Sequence, residues 1–460
     1  MSEDNELSGL SAEIEKLVRG YSRKAHGANG LGTSGLPPFV AGKTVVPYAG
    51  RVFDEDEVAA AVRTTLDFWL TLGPEGASFE KELAAKLGVK HSIAVNSGSS
   101  ANLLAFSALT SQKLPKTRRI RPGDEVITCA AGFPTTVAPI VQNGAIPVFI
   151  DSDPATGNAR VELLEEAYLP GKTKAVVMAH TMGNPFDLGS VTAFCRRHDL
   201  WLIEDNCDAL GSLYTLPGET PRFTGSFGDL STQSFYPPHH ITMGEGGAVN
   251  IVSHPPFKTI VESFRDWGRD CWCESGKDNT CGKRFEWKQG DLPKGYDHKY
   301  IYSHLGYNLK PLDIQAAIGR VQLKRLDAFS KARRANWLYL RQGLADLSHL
   351  FDFMAPTAGS DPSWFGFTLL VKPDAPFSAV ELSRRLEEKK IGNRRLFGGN
   401  LVRQPAFIEL RRDNPGAYRV IGDLAGADRL MNSALFVGVY PGLTQPMLDY
   451  VIETLHHITK

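Results

Sequence analysis

Three segments of the chain carry side chains whose types and spacing could do chemistry. Residues 234 to 247 read S-F-Y-P-P-H-H-I-T-M-G-E-G-G and set His239 beside His240; an imidazole exchanges protons near neutral pH. Residues 96 to 102, N-S-G-S-S-A-N, follow the apolar run His91–Val95 and open a helix. Free backbone N–H groups at such a turn suit a phosphate, although an ordinary glycine-containing turn reads the same way. Cys271, Cys273 and Cys281 form a C-x-C-x7-C arrangement. With a fourth donor these thiols could hold zinc or a [2Fe-2S] cluster, or they could be unligated loop thiols.

Positioning these groups falls to an alternation of helical and strand-like patterns that begins near Arg51. Helical periodicity covers Asp56 to Trp69 and Ser78 to Leu87, and apolar runs at 91–95, 126–128, 146–150, 174–179 and 201–203 predict strands. The intervals are long enough for helical crossovers, so a mostly parallel α/β sheet covered on both faces is expected. Ligands of such sheets bind beyond the carboxyl ends of the strands. Residues 276–302 lack periodicity and predict a loop excursion within a cysteine-rich stretch, 266–302. Periodicity from Asp313 to Leu344 predicts a long connecting helix. The division is therefore an N-terminal arm (1–45), with the Gly/Pro-rich stretch Gly27 to Gly42, a large domain (46–325) and a smaller α+β domain (326–460).

Bulk properties narrow the partners. Lys plus Arg and Asp plus Glu both number 51, so no net field attracts nucleic acid or an anionic membrane. The acidic opening M-S-E-D-N-E is unlike a signal peptide, and the longest stretch without Asp, Glu, Lys or Arg, Val126 to Ile150, is broken by three prolines. A cytoplasmic protein with reduced thiols is expected.

The segment 234–247, the turn 96–102, E-D-N-C-D-A at 204–209 and G-Y-N at 306–308 occur in the order found in the pyridoxal phosphate-dependent sugar aminotransferases, which this chain resembles. The resemblance implies a fold-type I (aspartate aminotransferase-like) architecture. Its implied cofactor contacts are Gly98 and Ser99 at the phosphate turn, Ser234 on the phosphate, Phe133 stacked on the ring and Asp205 paired with the pyridine nitrogen. Asp208 falls near the ring hydroxyl, and Asn308 would come from the neighbouring subunit of a homodimer. Read without the resemblance, Asp205 is equally a helix N-cap and Phe133 a core residue.

His239 stands where those enzymes carry the lysine that tethers the cofactor. That departure resembles the NDP-4-keto-6-deoxyhexose 3-dehydratases, which implies pyridoxamine 5'-phosphate, a nucleotide-linked 4-keto-6-deoxyhexose, His239 as the catalytic base and loss of the C3 hydroxyl. His240 is the adjacent alternative base, and Tyr236 an orienting group. The iron–sulfur branch further implies a [2Fe-2S] cluster on Cys207, Cys271, Cys273 and Cys281, fed by a separate flavin and iron–sulfur reductase. Cys195 is the second choice for the fourth ligand. Residues 394–405 combine arginines, glycines and an amide, and Arg403 is the candidate grip on the sugar diphosphate, or a solvated arginine of a surface turn. Rival readings are a cluster-free deoxysugar dehydratase, a sugar aminotransferase and an inactive metal-stabilised scaffold or sensor.

Overall fold

The computed structural model describes residues 3–26, 39–254, 256–273 and 277–460. Most of the Gly/Pro-rich stretch and residues 274–276 of the cysteine-rich stretch lie outside the described residues. The helix Glu3–His26 packs along Glu55–Leu66, which Asp54 begins with a capping box.

An eight-stranded sheet forms the centre. Its order is His91–Val95, Gly247–Ile251, Leu230–Ser234, Trp201–Asp205, Thr173–Ala179, Glu125–Cys129, Ile146–Ile150 and Arg419–Val420. Gly247–Ile251 runs against both neighbours, and every other pairing is parallel. The five apolar runs read from the sequence are all strands of this sheet. Leu230–Ser234 escaped that reading because L-S-T-Q-S is polar, yet all five residues are buried. Polar partners make this affordable: Ser231 donates to the Gly225 carbonyl and Thr232 to Asn102 Oδ1.

Parallel strands end on the same side, so the loops after 95, 129, 179, 205 and 234 meet there. Gly247 permits the close approach of the one reversed strand, since a Cβ on it would lie 2.4 Å from the Ser97 carbonyl. The connecting helix spans Asp313–Gly343. No glycine or proline interrupts it after Gly319, and the boundary expected near residue 325 falls within it. A four-stranded antiparallel sheet, Phe351–Phe353, Gly366–Val371, Ala434–Gly438 and Asn393–Arg395, lies beyond. Its Phe365–Phe436 neighbourhood and Arg394–Arg395 close the open side of the strand ends. Among the described residues, no helix is long and apolar enough to cross a membrane.

Candidate active site

A cavity of about 510 Å³ opens at the carboxyl ends of the central strands. Gly98, Ser99, Phe133, Asp205, Cys207, Asp208, Ser234, Tyr236 and His239 all line it. No lysine does, among the described residues.

One wall is the amino end of helix Gly98–Ala108, whose Ser97 cap accepts from Ser100 N at 3.1 Å. Gly98 is required by packing: a Cβ there would sit 2.4 Å from Ser234 Cβ and 3.1 Å from Cys207 Sγ. The turn thus presents bare backbone N–H groups beside the Ser234 hydroxyl, a cradle fit for a phosphate.

Asp205 ends its strand and is almost fully buried. Its carboxylate accepts from Asn102 Nδ2 at 2.8 Å, Thr136 Oγ1 at 2.6 Å and the Cys207 backbone N–H at 3.2 Å. Thr232 Oγ1 donates to Asn102 Oδ1 at 2.7 Å, which turns the amide NH₂ of Asn102 towards Asp205. Each such charge-assisted bond contributes about 1.5–3 kcal/mol. A helix cap would not need this scaffold; it fixes the aim of a carboxylate. Asn102 closes the quoted turn motif one helical turn in, but nothing local in the sequence marks Thr136 or Thr232 as its companions.

His239 Nε2 lies 3.4 Å from Asp208 Oδ1, and Nδ1 has no hydrogen-bond partner in the protein. The ring is flanked by Phe365 at 5.5 Å and by Tyr236 at 6.3 Å between centroids. Burial raises the Asp208 carboxyl above its ordinary range, an effect that His239 partly offsets. His240 is arranged differently. It is buried outside this cavity with Nε2 2.6 Å from the Ser363 carbonyl, and burial, then the Arg333 charge, holds its pKa well below the ordinary value. It is a neutral donor fastening two segments, which removes it as the alternative base.

Phe133 projects half-exposed into the cavity, edge-on to Phe397 at 6.2 Å. Asn308 is exposed on a segment bridged to Asp266 and does not line the cavity of its own chain. Arg403 also lies outside, paired with Asp428 at 2.9 Å. The cationic lining comes instead from Arg394, whose guanidinium sits 4.3 Å above the Tyr48 ring, and from Arg395.

The cysteines divide between two places. Cys271, Cys273 and Cys281 line a small cavity with His298, and Thr280 Oγ1 donates to Cys273 Sγ at 3.1 Å. Cys207 lines the large cavity, where burial and then the Asp205 charge push its thiol well above the ordinary range. Cys195 is buried in the apolar cluster beneath helix Leu188–Arg197. Among the described residues, no group of three or more His, Cys, Asp or Glu side chains is arranged to hold a metal ion. The expected four-thiol set is therefore not assembled. The loop itself is anchored by Asp270, which accepts from Lys113, from Gln289 at 2.7 Å and from Ser303 at 2.9 Å, with His298 Nε2 at 3.3 Å. Burial opposes ionisation of Asp270, but these donors outweigh it and hold the carboxyl below its usual range.

Residues 52–456 match the model of the DegT/DnrJ/EryC1/StrS aminotransferase family. The chain belongs to this family. It is 50% identical over 446 residues to the lipopolysaccharide biosynthesis protein RfbH of Salmonella typhimurium, covering 97% of each chain. It is also 50% identical over 419 residues to dTDP-4-dehydro-2,6-dideoxy-D-glucose 3-dehydratase of Saccharopolyspora spinosa, covering 91% of this chain and 87% of that one. Among solved structures, E. coli GDP-4-keto-6-deoxy-D-mannose-3-dehydratase with bound hydrated PLP superimposes with a TM-score of 0.74 at 28% identity, covering 89% of this chain and 99% of that one. The expected α/β, aspartate aminotransferase-like fold is that of these neighbours.

Proposed function

We propose that this chain is a pyridoxamine 5'-phosphate-dependent 3-dehydratase of a nucleotide-linked 4-keto-6-deoxyhexose. The observation that carries the reading is His239: it replaces the tethering lysine, no lysine lines the cavity, and it faces Asp208 across a space floored by Asp205 and the Gly98 turn. The residues present fit the cofactor. Gly98, Ser99 and Ser234 would cradle its phosphate, Phe133 would offer a ring face, and Asp205 would hold the pyridine nitrogen protonated. When bound, the cofactor supplies an electron sink that lets the C–O bond next to the substrate carbonyl break. His239 would take a proton from the C4' carbon of the bound cofactor, and Asp208, 3.4 Å from its Nε2, would stabilise the imidazolium that results. The same imidazolium can return its proton to the departing hydroxyl. Arg394, Arg395 and Tyr48 supply charge and an aromatic face for the sugar diphosphate. Exposed Asn308, outside its own cavity, suits delivery to a second copy in a homodimer.

A [2Fe-2S] cluster, with the separate flavin and iron–sulfur reductase that the resemblance implies, is one reading of the C-x-C-x7-C thiols, and the shared cavity of Cys271, Cys273 and Cys281 is what favours a ligand there. The separation of Cys207 from them favours the second reading, a cluster-free dehydratase that regenerates its cofactor with glutamate. Iron and sulfide analysis of anaerobically purified protein separates the two: about two irons and two sulfides per chain identify the cluster enzyme, and none the other. The shared reaction is tested with substrate carrying ¹⁸O in the C3 hydroxyl. Loss of the label to water is expected; a retained label with glutamate-dependent amination would make the chain an aminotransferase.

A further inference from the structure

Arg333 is a cation in an unlikely place. It lies on the inner face of helix Asp313–Gly343, is 1% exposed, and among the described residues makes no salt bridge. Burial depresses its pKa to about 9, which still leaves it charged at neutral pH. Burying a cation whose hydrogen-bond partners are all carbonyls costs several kcal/mol relative to a well-packed apolar side chain, so fold stability does not account for it.

Its hydrogen bonds do. Nη2 donates to the His239 carbonyl at 3.0 Å, while Nη1 donates to the carbonyls of Trp364 at 3.1 Å and Phe365 at 3.3 Å. One planar fork thus ties the His239 turn to the segment carrying Phe365, the ring that flanks the His239 imidazole. His240, bonded to the Ser363 carbonyl, doubles the tie. The Asp208 charge, on the carboxylate near His239 Nε2, also favours the charged form of the guanidinium.

We propose that Arg333 is a positioning residue that fixes the aim of the His239 imidazole by holding its main chain and its flanking ring together. The inference rests on the reading of His239 as the proton-transfer group. Arg333 does not line the cavity, so its loss should lower kcat and leave substrate and cofactor binding alone. A lysine at 333 keeps the charge but cannot bond both segments, so it should not restore turnover.

The kinetic test uses the full chain loaded with pyridoxamine phosphate. Arg333→Met is expected to lower kcat by about 10- to 100-fold, the scale of a catalytic group displaced by about 1 Å, with KM and cofactor Kd within about twofold. In ¹⁵N-histidine NMR of the cofactor-free protein, the ring resonance absent from His239→Asn should shift or broaden in Arg333→Met. In a His239→Asn background the same change should cost nothing further. Should the methionine variant not fold, Arg333→Lys is read in the same way. An unchanged resonance and kcat, or an equal loss in both backgrounds, overturns the inference. An active His239→Asn enzyme would instead remove the reading beneath it.

Discussion

The cofactor-shaped cavity and the cysteine loop are two sites built to different degrees. In the cavity, Asp205 is held by three donors, Gly98 is packed against Ser234, and His239 already faces Asp208. In the loop, the root is fixed by Asp270 while the three thiols line one cavity with His298 and, among the described residues, form no group arranged to hold a metal ion. The difference teaches where preorganisation resides. Rigid strand ends position groups that must meet a transition state, and a surface excursion carries groups whose geometry a ligand would complete.

The comparison can be broken first at His239. His239→Asn should cost about 10²- to 10⁴-fold in turnover at unchanged cofactor affinity, measured by steady-state kinetics and cofactor titration. Next, Gly98→Ala should weaken pyridoxamine phosphate binding about 10- to 100-fold, because overpacking by one methyl costs about 1–3 kcal/mol; a titration with unchanged Kd would mean the turn does not hold the phosphate.

The loop should respond in its own terms. Asp270→Ala strands Lys113 and His298 and should cost about 3 kcal/mol of stability in denaturant unfolding, with cofactor affinity unaltered. A matching loss of cofactor binding would show that the two regions are one unit. A smaller effect follows from His304, bonded to Ser111 and Ser263 at the loop root. Burial, then the Lys113 charge, depresses its pKa from 6.5 to about 4. The unfolded chain therefore binds the proton first, so this contribution is complete above pH 6.5 and is lost as pH falls towards 4. His304→Asn should show a shallower fall in Tm across that window. Least of all, Arg403→Ala should change stability by under about 0.5 kcal/mol and leave KM unmoved, since its partner is Asp428 outside the cavity.

Much of this was legible in the sequence. Apolar strands announced themselves by hydropathy, the Gly98 turn by its place after one of them, and His239 and Asp205 by motifs that resemble those of the sugar aminotransferases. Leu230–Ser234 was hidden because its buried polar side chains are satisfied only by distant residues. The companions of Asp205, Thr136 and Thr232, lie 69 and 27 residues away and share no motif with it. Arg403 misled because composition marks a cationic stretch without saying which arginine turns inwards. Spacing likewise gathers Cys271, Cys273 and Cys281 but cannot say what completes them.

The most direct test of the account is deuterium exchange at the C4' carbon of pyridoxamine phosphate, followed by mass analysis after incubation with a nucleotide-linked 4-keto-6-deoxyhexose in D₂O. The account predicts one deuterium with the wild-type protein and none with a His239→Asn protein that binds the cofactor normally. Exchange at the wild-type rate in that variant would contradict it.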